Sequence, residues 1–298
     1  MTLLDLELAR RERAIPGDPD EFPLLTRLAA RMEPPARRAF LAAVLGAAAA
    51  VSLEALAEAI QAGQVSHIEA AAQLGKLGAD LRRQLLPVLG NVFALGVQVG
   101  SGALGEVGAS VRFDLRNPEA IRWVQARGAE LVTGVTDDTR LVIRSLVEAA
   151  FREGRAPRDL ARDIQKVIGL TPRQAAAVQN FRERLIAEGV PFDRVMARSE
   201  RYAQAQLRSR ALNIARTETL TASNEGQQEL WQAARAQGLL NPATTRRIWL
   251  VTDDDRLDEE ICEPLDGEEA PLDAPFPGGI MRPPAHPQCR CAVGLVFT

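Results

Sequence analysis

The chain has 298 residues, enough for one large domain or two to three small ones with a buried core. Its hydrophobic content of 46% is normal for a soluble globular protein, and its three cysteines all lie in the last 37 residues, which excludes a disulfide scaffold. We find neither an apolar run of the roughly 18–20 residues that a membrane span needs nor an apolar signal core after Met1, and we expect a protein without a membrane partner that stays in the cytoplasm where it is made.

The N-terminal residues 1–35 mix charged side chains with five prolines and predict an extended arm with at most one short helix. The first clear helix signal is Ser52, a typical N-cap residue, followed by apolar residues at helical spacing. Gly63 is predicted to end this helix, because glycine favours the left-handed conformation found at helix C-termini.

A second helix is predicted to begin at Ser66 and Glu69, which have the spacing of a capping box, and to run toward Pro87. The glycine-rich stretch 90–108 breaks the helical pattern and predicts a bend or a loop. The alternative is that these small residues let two helices approach closely.

The run Asn117-Pro118-Glu119 is a strong helix start, since it supplies a cap, a proline at the first helical position and an acidic residue at the positive end of the helix dipole. We expect Thr136 to begin the next helix and Gly154 to end it. Further helices are predicted to begin at Pro157 and at Thr171, and a long one is expected from about Val195 to about Gln237.

The character of the sequence changes after about residue 241. Residues 247–252 and 292–297 read as strands, and Asp266-Gly267 is a tight-turn signal. The predicted fold class is α+β, with a mostly α-helical body followed by a small C-terminal β-containing module. The predicted segments are an arm (1–35), an N-terminal helical region (36–116), a second helical domain (117–240) and the β module (241–298).

Two motifs carry chemistry. In the predicted long helix, Thr217, Thr221 and Asn224 share one face, and Glu218, Thr221 and Glu225 share a neighbouring one. These polar groups either hydrogen-bond the β module or form a solvated polar face. Arg216 beside it is suited to a bidentate bond with a carboxylate.

The second motif places one of only two histidines and two of the three cysteines within six residues. Cysteine and histidine at two places on a small β module with little apolar material are what a Cys3His zinc site needs, and a metal would then replace a missing core. Unbound thiols and a disulfide of Cys262 are the alternatives. The candidate zinc ligands are Cys262, His286, Cys289 and Cys291.

In this order and spacing, several short motifs resemble the signature of phage head morphogenesis (Mu F-like) proteins across residues 117–297. They are Arg216-Thr217-Glu218 with Asn224, then Trp249, Asp254 with Arg256, Leu265-Asp266-Gly267 and the His286–Cys291 run. Members often carry Cys-x-x-Cys before Leu-Asp-Gly, whereas here Glu259 stands at the first of these two positions. This departure weakens a metal site carried over from the family, although glutamate can also bind zinc.

The resemblance implies a structural minor head protein, present in few copies near the portal vertex, and not an enzyme. It implies a place in the virion, in the head interior or at the portal vertex, with assembly in the host cytoplasm. The partners implied are the portal protein, the major capsid or scaffolding protein, and packaged DNA. The roles implied are procapsid assembly and DNA packaging or ejection.

Charge is unevenly distributed, with 16 basic and 8 acidic residues between positions 140 and 216, against 11 acidic and 1 basic between 253 and 273. If DNA is a partner, the basic stretch supplies phosphate contacts, of which we single out Arg158, Arg162, Lys166 and Arg173. The other reading is surface arginine paired with nearby carboxylates.

Two readings from other functional classes remain open. One is a nucleic-acid-binding protein of the host, and the other is a metal-dependent enzyme acting on nucleic acid. The site of such an enzyme would be either a zinc centre or a divalent cation bound by the acidic run of Asp253, Asp254, Asp255 and Asp258.

Overall fold

The computed structural model of the protein describes residues 23–105, 108–111, 118–254 and 257–297. These residues form eight α-helices followed by three β-strands, which confirms the predicted α+β class with a mostly helical body. The helices are α1 (Leu24–Ala49), α2 (Leu53–Ala62), α3 (Val65–Ala71), α4 (Leu74–Gly105), α5 (Pro118–Glu153), α6 (Pro157–Val167), α7 (Pro172–Ala187) and α8 (Phe192–Ala236). The strands are β1 (Thr245–Leu250), β2 (Glu269–Pro271) and β3 (Ala292–Phe297), and two 3₁₀ turns span Glu263–Leu265 and Pro277–Gly279.

The chain divides into two compact units, each built from separate stretches of sequence. The first unit takes Met1–Ala36, Pro87–Gln125 and Asn213–Thr298, and the second takes Arg37–Leu86 and Ala126–Leu212. The segment boundaries 35/36, 116/117 and 240/241 inferred from the sequence remain predictions.

The sheet of the first unit is antiparallel, and β1 lies in its centre between β2 and β3. Trp249 of β1 is fully buried and packs edge-to-face on Phe276, with ring centroids 5.2 Å apart, a geometry that adds about 0.5–1.5 kcal/mol beyond area burial. The same apolar cluster contains Phe93 and Trp231 from helices α4 and α8. The β module therefore shares its core with helices. The expectation that it has little apolar material, so that a metal must replace its core, is wrong.

Helices α4 and α8 pack backbone to backbone within the first unit. A Cβ placed on Gly96 would lie 1.9 Å from the Ser223 carbonyl oxygen, and one on Gly226 would lie 2.0 Å from the Phe93 carbonyl oxygen. The bend or loop predicted over 90–108 is wrong up to Gly105, since α4 is helical to that residue. The alternative, that the small residues permit close helix contact, is confirmed.

The second unit has a buried charged cluster at its centre. Arg210 is almost fully buried and donates to the Gly169 carbonyl oxygen at 2.9 Å and to the Asp138 carboxylate at 2.7 Å. Burial is the main reason why the pKa of Arg210 lies below its usual value. Gly169 has φ +79°, and a Cβ there would lie 2.6 Å from Val44, so this turn between α6 and α7 requires glycine.

Several predicted helix ends are confirmed. The Ser52 side chain accepts a hydrogen bond from the Ala55 amide, and Gly63 adopts φ +70° as the C-cap of α2. Thr171 and Gln174 form a capping box at the start of α7. Gly154 and Gly189, predicted to end α5 and α7, also have positive φ.

Other local predictions are wrong. Helix α1 already begins at Leu24 and contains Pro34 and Pro35, so residues 24–35 are not an extended arm; those before Pro23 lie outside the described range. The exposed residues Ala30 and Arg31 lie four positions before these prolines, so water can reach the carbonyl groups that lose an amide partner.

The capping box at Ser66 does not form. Helix α3 begins at Val65, with Gln64 as a cap that makes no side-chain bond, and Glu69 instead bonds Arg140 and Arg144 of α5. Thr136 does not start a helix either, because α5 is continuous and the Thr136 hydroxyl donates to the Val132 carbonyl oxygen at 2.9 Å.

Among the described residues, α4 alone is long and apolar enough to cross a membrane by length and composition, and α1 with α2 passes the same test as a pair bent by 69°. The expectation that no stretch qualifies is therefore wrong, because residues 84–105 carry no charged side chain and are rich in leucine and valine. Core helices pass the same test, and α4 buries Leu77, Leu81, Leu85, Leu89 and Phe93 inside the protein.

Candidate metal centre

Two loops of the first unit bring the predicted zinc ligands together. Cys262 precedes the 3₁₀ turn Glu263–Leu265 and is held by a hydrogen bond from its amide to the Asp258 carbonyl oxygen at 3.0 Å. His286 and Cys289 lie on the loop before β3, where the Cys289 amide donates to the His286 carbonyl oxygen at 3.1 Å. Gln288 between them has φ +66°, a left-handed turn that points both side chains to one side.

Three ligand atoms converge. The Cys262 and Cys289 sulfurs are 3.8 Å apart, the His286 Nε2 is 3.1 Å from the Cys262 sulfur, and all three atoms lie within 4.8 Å of one another. Both thiols are buried and the imidazole is half-buried. His286 Nδ1 lies 3.0 Å from the Pro287 carbonyl oxygen, and a proton on Nδ1 leaves Nε2 as the lone-pair nitrogen facing the sulfur.

Cys291, the fourth predicted ligand, lies outside this three-atom cluster but borders it. Its thiol is buried, and its backbone amide donates to the Cys289 sulfur at 3.5 Å.

The three thiols behave electrostatically as one group. Hydrogen bonds from the Cys262 and Cys291 thiols lower the pKa of Cys289, while the bond to Cys289 raises the pKa of Cys262. Interaction with the Cys262 thiol, and then with that of Cys289, raises the pKa of Cys291. One thiolate is thus favoured, and the next two cost more because negative charge accumulates in a buried site.

Arg290 lies between two of the candidate ligands and connects the cluster to other elements. Its carbonyl oxygen accepts a hydrogen bond from the Thr26 hydroxyl of α1 at 2.8 Å and another from the Thr252 hydroxyl. Its guanidinium pairs with Asp254, one of the predicted motif residues. Thr26 was not predicted from the sequence, because no local pattern connects residues 264 positions apart.

Helix α8 presents polar side chains to the β module, as one reading of the sequence predicted, and Glu225 of the predicted faces does so through its ion pair with Arg282. Three glutamines that were not predicted add hydrogen bonds. Gln228 and Gln232 both donate to the Leu272 carbonyl oxygen, at 2.8 and 2.9 Å, and Gln227 donates to the Val293 carbonyl oxygen. Thr221 and Asn224, by contrast, donate to carbonyl groups of their own helix.

Two arginines, Arg247 and Arg282, hold the loops of the module. Arg247 of β1 is fully buried and donates to the carbonyl oxygens of Pro271, Ala274 and Met281, and burial lowers its pKa to about 10. Glu225 of α8 pairs with Arg282, yet burial raises the pKa of Glu225.

The other predicted motif residues are placed as follows. Arg216 bonds the Glu33 carboxylate of α1 at 3.1 Å, a single contact and not a bidentate one, and Glu218 is buried. Asp266 accepts a hydrogen bond from the Val251 amide at 3.3 Å, and Gly267 takes φ +74° in the turn before β2, which confirms the predicted turn. Arg256 lies outside the described residues.

The predicted DNA-contact residues do not form one cluster of free charge. Arg158 and Arg173 are exposed, Arg162 is exposed but pairs with Asp159 at 3.0 Å, and Lys166 lies 3.7 Å from Glu200. Other arginines of the stretch 140–216 also form ion pairs with carboxylates, among them Arg140, Arg144, Arg155, Arg182 and Arg210.

The described residues Asp254 and Asp258 of the acidic run make contacts within the protein. Asp254 pairs with Arg290, and Asp258 accepts hydrogen bonds from the backbone amides of Glu260 and Ile261 at 3.1 and 2.8 Å. Carboxylates engaged in this way are poor ligands for a catalytic cation. This argues against a metal-dependent enzyme that acts on nucleic acid through the acidic run.

Comparison with known proteins identifies the family. The family model described as Phage Mu protein F like protein matches residues 142–294, from within α5 into β3. No curated protein and no solved structure matches the chain. The match spans just over half of the chain and includes the elements that carry the cysteine and histidine cluster, so the protein belongs to the Phage Mu protein F like family, as the order of its short motifs predicted.

Proposed function

We propose that this phage head morphogenesis protein is a structural minor head protein that binds the portal protein and acts in procapsid assembly and in DNA packaging or ejection. Its place is the virion, in the head interior or at the portal vertex, after assembly in the host cytoplasm. The major capsid or scaffolding protein is a further candidate partner.

One observation carries this proposal beyond the family match. The polar residues by which the family is recognised make contacts inside the protein: Arg216 bonds Glu33, Asp254 pairs with Arg290, and Asp266 accepts from the Val251 amide. Catalytic groups have to face substrate. Residues that instead fix helices and loops to one another suit a protein whose task is to present a defined surface to an assembly partner, without a catalytic step.

Contact with packaged DNA is the second part of the proposal. Arg158 and Arg173, exposed at the N-terminal ends of α6 and α7, are available to phosphate oxygens. Arg162 and Lys166, on α6, face solvent in part, and each would exchange a surface carboxylate for a phosphate at little cost, because exposed ion pairs contribute about 0–1 kcal/mol. Such contacts depend on the charge of the phosphate groups and not on the base sequence of the DNA.

The test of the portal interaction is co-expression with the portal protein of the same phage, followed by affinity purification of assembled portal rings. Stable association in a fixed ratio is the expected result. A folded ring that captures none of this protein, from a preparation whose circular dichroism shows the native helix content, would contradict the proposal and favour a host nucleic-acid-binding protein.

The DNA contact is tested by a charge-reversed variant in which Arg158, Arg162, Lys166 and Arg173 are all replaced by glutamate. We expect unchanged portal association but fewer DNA-filled heads or slower ejection. The matched control reverses Arg37 and Arg38, which are exposed on α1. Equal phage yield from both variants would contradict the DNA contact and leave the portal interaction standing.

A further inference from the structure

The spacing of the clustered sulfurs matches a metal site. Two thiolates on one tetrahedral zinc ion, each about 2.3 Å from the metal, are separated by about 3.8 Å. The Cys262 and Cys289 sulfurs are 3.8 Å apart, whereas the sulfurs of a disulfide are about 2.05 Å apart. The described cysteines are free thiols, so the cluster has the spacing of a metal centre and not that of a cross-link.

We propose that Cys262, His286, Cys289 and Cys291 bind one Zn²⁺ ion, and that this ion clasps the start of helix α1 to the β module through Arg290. The inference rests on the side-chain geometry alone and holds whether or not the protein binds a portal.

The donor set selects the metal. Sulfur and imidazole nitrogen favour zinc over magnesium or calcium, which prefer oxygen. Three of the four donors already converge. The fourth, Cys291, is buried and lies two residues after Cys289 on the same loop. The backbone amide of Cys291 donates to the Cys289 sulfur, and this hydrogen bond would stabilise a metal-bound thiolate there.

The clasp follows from the position of Arg290 between two ligands. With Cys289 and Cys291 fixed on the ion, the intervening Arg290 carbonyl is fixed as well, and this carbonyl accepts the Thr26 hydroxyl at 2.8 Å. Thr26 is buried, near the N-terminal end of α1. Metal binding at the C-terminal module should therefore order the first turns of α1.

Metal analysis of the purified full-length chain is the first test, with the variants His286→Ala and Cys289→Ala. We expect about one zinc per chain, lost in both variants and kept in His67→Ala, which removes the other, exposed histidine. Titration of the stripped wild-type chain with Co²⁺ should give the thiolate charge-transfer and tetrahedral ligand-field absorption bands, a readout that needs no variant to fold. A folded wild-type chain that binds no Co²⁺ through sulfur, or zinc retained in both variants, would overturn the site.

Hydrogen exchange tests the clasp. Removal of zinc from the wild-type chain should speed amide exchange at least tenfold in the first two turns of α1 and leave α6 unchanged. Thr26→Val should bind zinc as the wild type does, yet show fast exchange in α1 with or without metal. Exchange in α1 that does not depend on zinc in the wild-type chain would overturn the clasp.

Discussion

Replacement of Gly96 by alanine tests the close packing of α4 against α8. The new Cβ would lie 1.9 Å from the Ser223 carbonyl oxygen, whereas ordinary contact begins at 3.4 Å, so the two backbones would have to separate by about 1.5 Å. A gap of 0.5–1 Å already forfeits about a quarter to a half of each contact energy. We expect a cost of about 3 kcal/mol, at the upper end of overpacking effects, offset by about 1 kcal/mol from the better helix propensity of alanine.

Gly90→Ala is the matched control, since Gly90 lies in the same helix and a Cβ there meets no atom within 4 Å. This variant should gain about 1 kcal/mol, which places the two variants about 3 kcal/mol apart. The difference corresponds to about 6–12 °C in Tm for a unit of this size.

Tryptophan fluorescence during thermal unfolding is the assay, because Trp123, Trp231 and Trp249 all belong to the first unit. The reasoning would be refuted if Gly96→Ala unfolded at the same temperature as Gly90→Ala. Such a result would mean that the helices can separate without loss, and that the close approach contributes nothing to stability.

Three further predictions follow from buried charges. Asp163→Asn should destabilise the second unit by about 3 kcal/mol in a circular dichroism melt, because it leaves two arginines facing each other without a carboxylate. Arg247→Met should cost the first unit about 3 kcal/mol in the fluorescence assay, because it removes the charged donor that three carbonyl groups share, and an unchanged Tm would show that these hydrogen bonds do not stabilise the module. The pKa of Glu225 is raised above its ordinary value of 4.5, so the folded state binds the extra proton and stability should fall as pH rises from 4.5 through the raised pKa; Glu225→Gln should flatten that slope in urea unfolding at several pH values.

Local chemistry made part of the fold predictable. Ser52, Thr171 and the glycines that end α2, α5 and α7 each act on their own turn of backbone, so a short window of sequence contains the whole cause. The errors arose where tertiary contacts decide. Glu69 fits a capping box, but two arginines of α5 supply a competing partner that no local pattern reveals.

The candidate site shows the same contrast between local patterns, which are visible in the sequence, and tertiary contacts, which are not. Residue type and spacing sufficed to select Cys262, His286 and Cys289, because few other arrangements of such rare residues are chemically useful. Thr26, the buried Arg247 and the glutamines of α8 were not predictable, because each acts on a carbonyl group far away in sequence. The glycines of α4 could be read as a loop or as a contact surface, and only the position of α8 decides between the two.

The division of the chain into two interleaved units has a consequence for the order of events during translation. Every residue of the second unit, Arg37–Leu86 and Ala126–Leu212, leaves the ribosome before the last stretch of the first unit begins at Asn213. Because domains tend to fold as units during synthesis, the second unit can form early, while α1 and the glycine face of α4 wait for α8 and β3. A premature stop codon late in the message would thus release a chain whose second unit is complete, while the first unit lacks its last stretch and leaves apolar surfaces exposed.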